Sequence, residues 1–170
     1  ANPQIDVIGR SKLMRLRTNA QDNVGLAFVK RLFDILASGL GMIVLSPLLL
    51  VLAIGVKLSS PGPILFRQER VGYNRRSFMV LKFRSMRVNA EENTAWTKDS
   101  DPRKTKFGSF IRKFSLDELP QLWNVFVGDM SLVGPRPELP YFVEQFRETI
   151  PLYMVKHQVR PGITGWAQVN

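Results

Sequence analysis

Residues 35–56 read ILASGLGMIVLSPLLLVLAIGV, 22 positions without a charge. As one unbroken helix that run would reach roughly 33 Å, enough to cross the hydrocarbon core of a bilayer. Ser46-Pro47 falls near its midpoint, where proline removes a backbone donor and clashes with the preceding turn. The arms on either side reach about 15 to 17 Å each, about half a bilayer. Basic residues flank both ends, Lys30 and Arg31 before and Lys57, Arg67 and Arg70 after, whereas a crossing helix usually gathers its excess of Lys and Arg on one side. Both features favour a segment that dips into a membrane, breaks at Ser46-Pro47 and returns. A kinked crossing helix and a hairpin buried in a soluble core are the alternatives. The buried hairpin is disfavoured, because Leu45 and Leu48 to Leu52 would need protein on every side. Asp34, within a helical turn of Lys30 and Arg31, is expected to pair with one of them at the interface.

A chain of 170 residues suits one domain. Its 24 Lys and Arg against 14 Asp and Glu give a net charge of +10, which favours anionic partners such as nucleic acid, phospholipid headgroups or phosphorylated substrates. The absence of cysteine excludes disulfides, thiolate metal sites and cysteine nucleophiles together. Ala1-Asn2-Pro3 has neither an initiator Met nor the layout of a signal peptide, so the sequence is expected to be part of a longer one.

Residues 1–29 carry scattered basic side chains (Arg10, Lys12, Arg15, Arg17) and no sustained apolar period, which suggests a linker or loosely attached leading segment. Residues 30–58 then hold the membrane segment, and residues 59–170 a water-facing domain. Ser59-Ser60-Pro61-Gly62-Pro63 stops the second arm. ILFRQERVG and SFMVLKFRSM, separated by Tyr73-Asn74-Arg75-Arg76, predict a β-hairpin. Residues 87–106 are polar and charged and read as a surface loop, flexible or weakly helical. Phe107, Phe110, Ile111 and Phe114 fall at i, i+3, i+4 and i+7, with Lys106, Arg112 and Lys113 elsewhere on the same short helix. Such a helix suits either the membrane surface or a soluble core. Another helix is expected from about Glu138 to Thr149, with Leu139, Phe142 and Phe146 on one face. The fold class is mainly α with a small β-hairpin: a re-entrant membrane helix hairpin plus interfacial amphipathic helices.

Ser115-Leu116-Asp117-Glu118-Leu119-Pro120-Gln121 sets two carboxylates side by side near a helix start. On spacing alone this is a capping box, with Ser115 and Glu118 satisfying orphan amides and Asp117 complementing the dipole. Arg112 five residues upstream and the rigid loop Gly134-Pro135-Arg136-Pro137 support a second reading, since arginine forks match phosphate oxygens. Neighbours on a helix point about 100° apart and cannot flank a glycosidic bond from opposite faces. One of them can instead attack phosphorus while a divalent ion and cationic side chains neutralise a diphosphate. Mg²⁺, hard and oxygen-seeking, is the ion that suits Asp117 and Glu118. Lys82 and Arg84 share a strand face by two-residue periodicity, which is either solvated or directed to phosphate. His157, the lone histidine, is expected to be structural. No Gly-rich phosphate loop, zinc-ligand cluster or nucleic-acid motif is present.

Taken in order, Lys30-Arg31 with Asp34, the break at Ser46-Pro47, Ser60-Pro61-Gly62-Pro63, Lys82-Phe83-Arg84-Ser85-Met86, Ser115 to Gln121, Gly134-Pro135-Arg136-Pro137 and Arg160-Pro161-Gly162-Ile163-Thr164-Gly165-Trp166 closely resemble the bacterial sugar transferases. These are monotopic polyprenyl-phosphate hexose-1-phosphate transferases, and the resemblance covers residues 30–170. It implies a re-entrant hairpin with both ends on the cytoplasmic face of the bacterial inner membrane, and an Asp-Glu pair at the membrane surface. By motif position Asp117 is similar to the nucleophile that attacks the β-phosphorus of a UDP-sugar and releases UMP. Polyprenyl (undecaprenyl) phosphate then takes the sugar phosphate, the first membrane step of a surface glycan such as an exopolysaccharide, O-antigen or capsule. Glu118 is implied to support Mg²⁺ or orient the reacting groups, Arg112 and Arg136 to bind phosphate, and Lys82 to join the same polar site. The implied partners are the two substrates and a lipid bilayer, not nucleic acid. Larger members carry extra membrane helices and a further domain ahead of this region and a short tail after it, so the oligomeric state and the hexose stay open. The alternative is a membrane-tethered basic binding or scaffold subunit of a polysaccharide assembly complex, in which Asp117 and Glu118 merely cap a helix.

Overall fold

The computed structural model describes residues 4–8, 11–15, 24–87, 104–150 and 153–165, which are mostly helical with three small two-stranded sheets. Contacts divide the chain into residues 1–33 and residues 34–170. In the first unit β1 (Gln4–Ile8) and β2 (Ser11–Arg15) form an antiparallel hairpin, with Gln4 opposite Arg15 and Ile8 opposite Ser11. The sequence reading assigned no element there. The helix α1 (Val24–Val44) also begins six residues ahead of the boundary drawn at Lys30.

Leu45 separates α1 from α2 (Ser46–Ser59), and the two helices are bent by 64°. Pro47 lies in the first turn of α2, where its missing N–H is one that no helical bond would use. The Ser46 hydroxyl donates to the Ile43 carbonyl at 2.7 Å, satisfying one of the acceptors that a helix end leaves orphaned. Among the described residues no single helix is long and apolar enough to cross a membrane; the bent pair passes by length and composition only. Ile43, Leu50 and Val51 are 74 %, 63 % and 63 % exposed, whereas Leu52 and Val56 are buried, so the bent pair is covered by protein on only part of its apolar surface.

Asp34 makes contacts far along the chain, beyond the pairing expected with Lys30 or Arg31. It is buried in α1, where its Oδ2 accepts from the Ser131 hydroxyl at 2.8 Å and its Oδ1 from the Leu132 amide at 3.2 Å. A buried carboxylate needs such donors, because desolvation without them costs several kcal/mol, roughly.

The expected hairpin is present as β3 (Leu65–Val71) and β4 (Ser77–Phe83), with Leu65 opposite Phe83 and Val71 opposite Ser77. Phe83 joins Leu52 and Val56 of α2 and Ile111 of α3 (Lys106–Lys113) in one core cluster, against which Leu116 and Leu119 pack. Thr105 caps α3, its hydroxyl accepting from the Gly108 amide at 2.8 Å. The expected aromatic stripe divides: Phe107 and Ile111 turn inward, whereas Phe110 and Phe114 are exposed. Gly55 makes the inward packing possible, since a Cβ there would lie 2.3 Å from the Phe107 ring.

A second cluster, Val80, Val125 and Met130, joins β4 to α4 (Gln121–Val127) and to the parallel pair β5 (Ser131–Val133) and β6 (Gly162–Thr164). Asn124 of α4 stands in for a missing strand: its Oδ1 accepts from the Leu81 amide at 3.0 Å and its Nδ2 donates to the Met79 carbonyl at 2.8 Å. The helix α5 (Pro140–Thr149) follows as expected, with Phe142 stacked on Phe146 and Phe146 edge-on to Tyr153. Residues 88–103 of the expected polar loop lie outside the described residues, as does Trp166.

Candidate active site

The pattern Leu116-Asp117-Glu118-Leu119 alternates a pair of anchors with a pair of acids. Leu116 and Leu119, partly buried, pack against the core cluster that holds Leu52 and Val56, and the apolar area each removes from water stabilises the turn. The short 3₁₀ turn between them holds Asp117 and Glu118 in place. Ser115, entering this turn, adopts the left-handed conformation with φ 55° and makes no capping bond. The capping-box reading therefore fails. A serine there costs about a kcal/mol of backbone strain, and the conformation turns the chain from α3 into the acidic turn.

Glu118 accepts from Lys82 Nζ at 2.7 Å through its Oε1, and the same oxygen lies 3.6 Å from Arg136 Nη2. These residues come from three places: the end of β4, the acidic turn and the loop after β5. Lys82 and Glu118 are about four-fifths buried while Arg136 is half exposed, so the guanidinium stands at the mouth. Asp117 is 9 % exposed. Burial, its largest influence, pushes its carboxyl above the ordinary value; Lys82 opposes this, Glu118 adds to it and Arg112 opposes it. Arg112, exposed in the last turn of α3, thus acts on Asp117 electrostatically.

Of the residues singled out in the sequence, Asp117, Glu118, Lys82, Arg112 and Arg136 therefore converge. Ser46 and Pro47 mark the bend, away from this cluster in the chain. Arg84 does not share the site with Lys82. It lies just past the end of β4, 4 % exposed, and donates from Nη2 to the Ser60 carbonyl at 2.6 Å, tying the end of α2 to the hairpin. His157 is buried, and desolvation lowers its pKa, with Lys156 adding in the same direction.

Arg136 sits in a loop fixed on both sides. The Gly162 amide donates to the Pro135 carbonyl at 3.0 Å, the Gly134 amide to Thr164 at 2.9 Å, and the Val71 amide to Glu138 at 2.9 Å. Backbone contact between β5 and β6 is so close that a Cβ on Gly162 would lie 2.1 Å from the Gly134 nitrogen. Arg70 also reaches this loop, donating from Nη1 to the Pro137 carbonyl at 3.2 Å and from Nη2 to Gln68 Oε1 at 2.7 Å. Arg70 was counted in the sequence only among flanking charges. Its signal was the i, i+2 spacing from Gln68, which puts both on one strand face.

The sequence that builds this core, acidic turn and basic loop matches a known family. The model of the bacterial sugar transferases matches residues 26–170, and the chain belongs to that family. It is 54 % identical over 144 residues to the UDP-N-acetylgalactosamine-undecaprenyl-phosphate N-acetylgalactosaminephosphotransferase of Aeromonas hydrophila, covering 84 % of this chain and 34 % of that protein. Identity is 50 % over 143 residues to the UDP-glucose:undecaprenyl-phosphate glucose-1-phosphate transferase of Escherichia coli (strain K12), covering 84 % and 31 %. The enzyme of the same description from Xanthomonas campestris pv. campestris is 45 % identical over 172 residues, covering 99 % and 36 %. The chain thus spans about a third of the length of these relatives.

Proposed function

We propose that this chain is the catalytic part of an enzyme that moves a sugar phosphate from a UDP-sugar to undecaprenyl phosphate, with Asp117 as the attacking group. The observation that carries this is the buried Asp117 in one turn with Glu118, whose Oε1 meets Lys82 at 2.7 Å and Arg136 at 3.6 Å, in a member of the sugar transferase family. An Asp117 oxygen attacks the β-phosphorus, the bond from that phosphorus to the oxygen bridging the two phosphates breaks, and UMP leaves with the electron pair. The phosphate oxygen of the lipid then attacks the same phosphorus and frees the carboxylate, leaving the sugar on a lipid diphosphate. Arg136 and Arg112 bear charges suited to the donor's phosphates, and Lys82 holds Glu118 in position.

The donor set fits Mg²⁺. Both cationic contacts of Glu118 use Oε1, and its carboxylate lies within electrostatic reach of Asp117. Two carboxylates plus substrate phosphates are a usual environment for this ion. When bound by Asp117 and Glu118, Mg²⁺ supplies neutralisation of the diphosphate charge.

The bent α1–α2 pair, with its exposed apolar side chains, supports a re-entrant insertion that keeps residues 59–170 on the cytoplasmic face of the inner membrane. A lipid whose phosphate stays at headgroup level can meet a water-soluble donor only there. The product is a starting lipid for a surface glycan. A scaffold role finds less support, because Ser115 makes no cap and Glu118 is directed to Lys82 and Arg136.

The test is a panel of UDP-sugars offered with undecaprenyl phosphate, with UMP release as readout and retention of β-phosphate label on the denatured protein as the sign of the covalent step. Release without retained label would remove Asp117 as nucleophile; neither signal with any donor would remove the activity. For topology, cysteines at Val24 and Pro61, both exposed, should be labelled from one side of the membrane. Labelling from opposite sides would mean a crossing helix.

A further inference from the structure

Arg136 is bracketed by two prolines, and the carbonyl of each is held from a different direction. Pro135 is held by the Gly162 amide at 3.0 Å and Pro137 by Arg70 Nη1 at 3.2 Å. Prolines have fixed φ and no N–H of their own, so carbonyl anchors are what remain to orient this loop. The strand that carries Arg70 adds a third anchor at the next residue, Val71 to Glu138 at 2.9 Å. Gln68 Oε1, at 2.7 Å from Nη2, fixes the plane of the Arg70 guanidinium from its own strand.

Charge makes this arrangement more than a loop tether. Arg70 is partly buried, which lowers its pKa; Glu138 opposes that, and Arg136 adds to it. Two like charges are thus held near each other, with Glu138 within electrostatic reach of Arg70, Glu118 within reach of both, and Glu118 Oε1 3.6 Å from Arg136 Nη2. Repulsion from Arg70 disfavours a position of the Arg136 guanidinium over β3, while Glu118 draws it toward the acidic turn.

We infer that Arg70 is a positioning residue for the donor's phosphates: through the Pro137 carbonyl and its own charge it sets Arg136 beside Glu118. This rests on the proposal that Arg136 contacts the donor. A lysine cannot replace it, because a single ammonium on a flexible stem does not meet Pro137 and Gln68 with the same fixed plane.

The test is a double-mutant cycle in the intact protein in detergent, measured as UMP release with UDP-glucose and UDP-N-acetylgalactosamine. Arg70→Met should raise the KM for the accepted donor about tenfold, the scale of one charged hydrogen bond, with a smaller change in kcat. Arg70→Lys should restore little of it. In an Arg136→Met background the same Arg70→Met change should add less than about twofold, since the residue it positions is gone. An equal loss in both backgrounds would overturn the inference and leave the donor site intact; so would an unchanged KM in Arg70→Met alone. An Arg136→Met enzyme with unchanged KM would instead sink the donor-site reading, and this inference with it. If Arg70→Met lowers the melting temperature, Arg70→Lys, which keeps the charge and stem, takes its place in the cycle.

Discussion

The Ser131 hydroxyl donates to the Asp34 carboxylate at 2.8 Å across 97 residues of sequence. This bond joins the apolar helix α1 to the strand that leads into the Arg136 loop. Asp34 in an apolar helix and the strand that leads to a polar site thus belong to a single packing unit.

Replacing Asp34 by Ala removes the acceptor of the 2.8 Å Ser131 bond and of the Leu132 amide, leaving the hydroxyl its longer 3.1 Å bond to the Val133 carbonyl. The expected cost is about 2–4 kcal/mol, from two lost bonds to a charged group. Thermal unfolding in detergent should show it as a clear drop in midpoint, and Asp34→Asn, which can keep one bond, should fall less. An unchanged midpoint in the Ala variant would mean that the bond contributes nothing.

Asp117→Asn should abolish UMP release and label retention. Its effect on stability has the opposite sign. The folded-state pKa of Asp117 is raised, chiefly by burial, so the native state binds its proton more tightly than the unfolded chain does. The stability this gives is present below the ordinary carboxylate pKa and is lost as pH climbs through the raised value. At pH 7 to 8 the Asn variant should therefore melt no lower than the parent, and its melting curve should depend less on pH over the mildly acidic range. A variant that melts well below the parent at neutral pH would contradict this.

On the proposed mechanism, ionisation of Asp117 also sets the acid limb of the rate. Lys82 holds the Asp117 pKa down, so Lys82→Met should move that limb to higher pH as well as strand Glu118 without its 2.7 Å partner. A pH profile of kcat/KM for UMP release measures the shift. A profile with the same acid limb in both proteins would show that Asp117 is not the group titrating.

A Cβ at residue 162 cannot coexist with the present spacing of β5 and β6. Gly162→Ala should separate the two strands, free the Pro135 carbonyl and displace Arg136. The expected loss of kcat/KM exceeds about tenfold. Since the strain is in the backbone, no compensating side-chain substitution at Val133 should rescue it. Near-normal turnover in Gly162→Ala would mean that the strand pair has little to do with the site.

Much of this was legible locally. Two apolar runs around a turn announced β3 and β4, a 3.6-residue period announced α3, and Ser46-Pro47 announced the bend, because each signal lies within about ten residues. The acids and bases of the site were legible as types. Their grouping was not, since Lys82 meets Glu118 across 36 residues and only the packing of Leu116 and Leu119 brings them together. Asn124 was invisible for the same reason: an asparagine in an amphipathic stretch carries no mark that it will complete a strand 43 residues earlier. Ser115 misled in the other direction, because its pattern with Glu118 fits a cap and only the backbone angle excludes it.

Leu116 and Leu119 share their core with Leu52 and Val56. Sliding α2 along its axis would drag the acidic turn with it, so the height of Asp117 relative to the apolar outer surface of α2 is set by interlocked side chains, like the offset of a gauge. On the proposed insertion, a thicker or thinner bilayer would raise or lower the whole unit, without changing the spacing between carboxylate and helix.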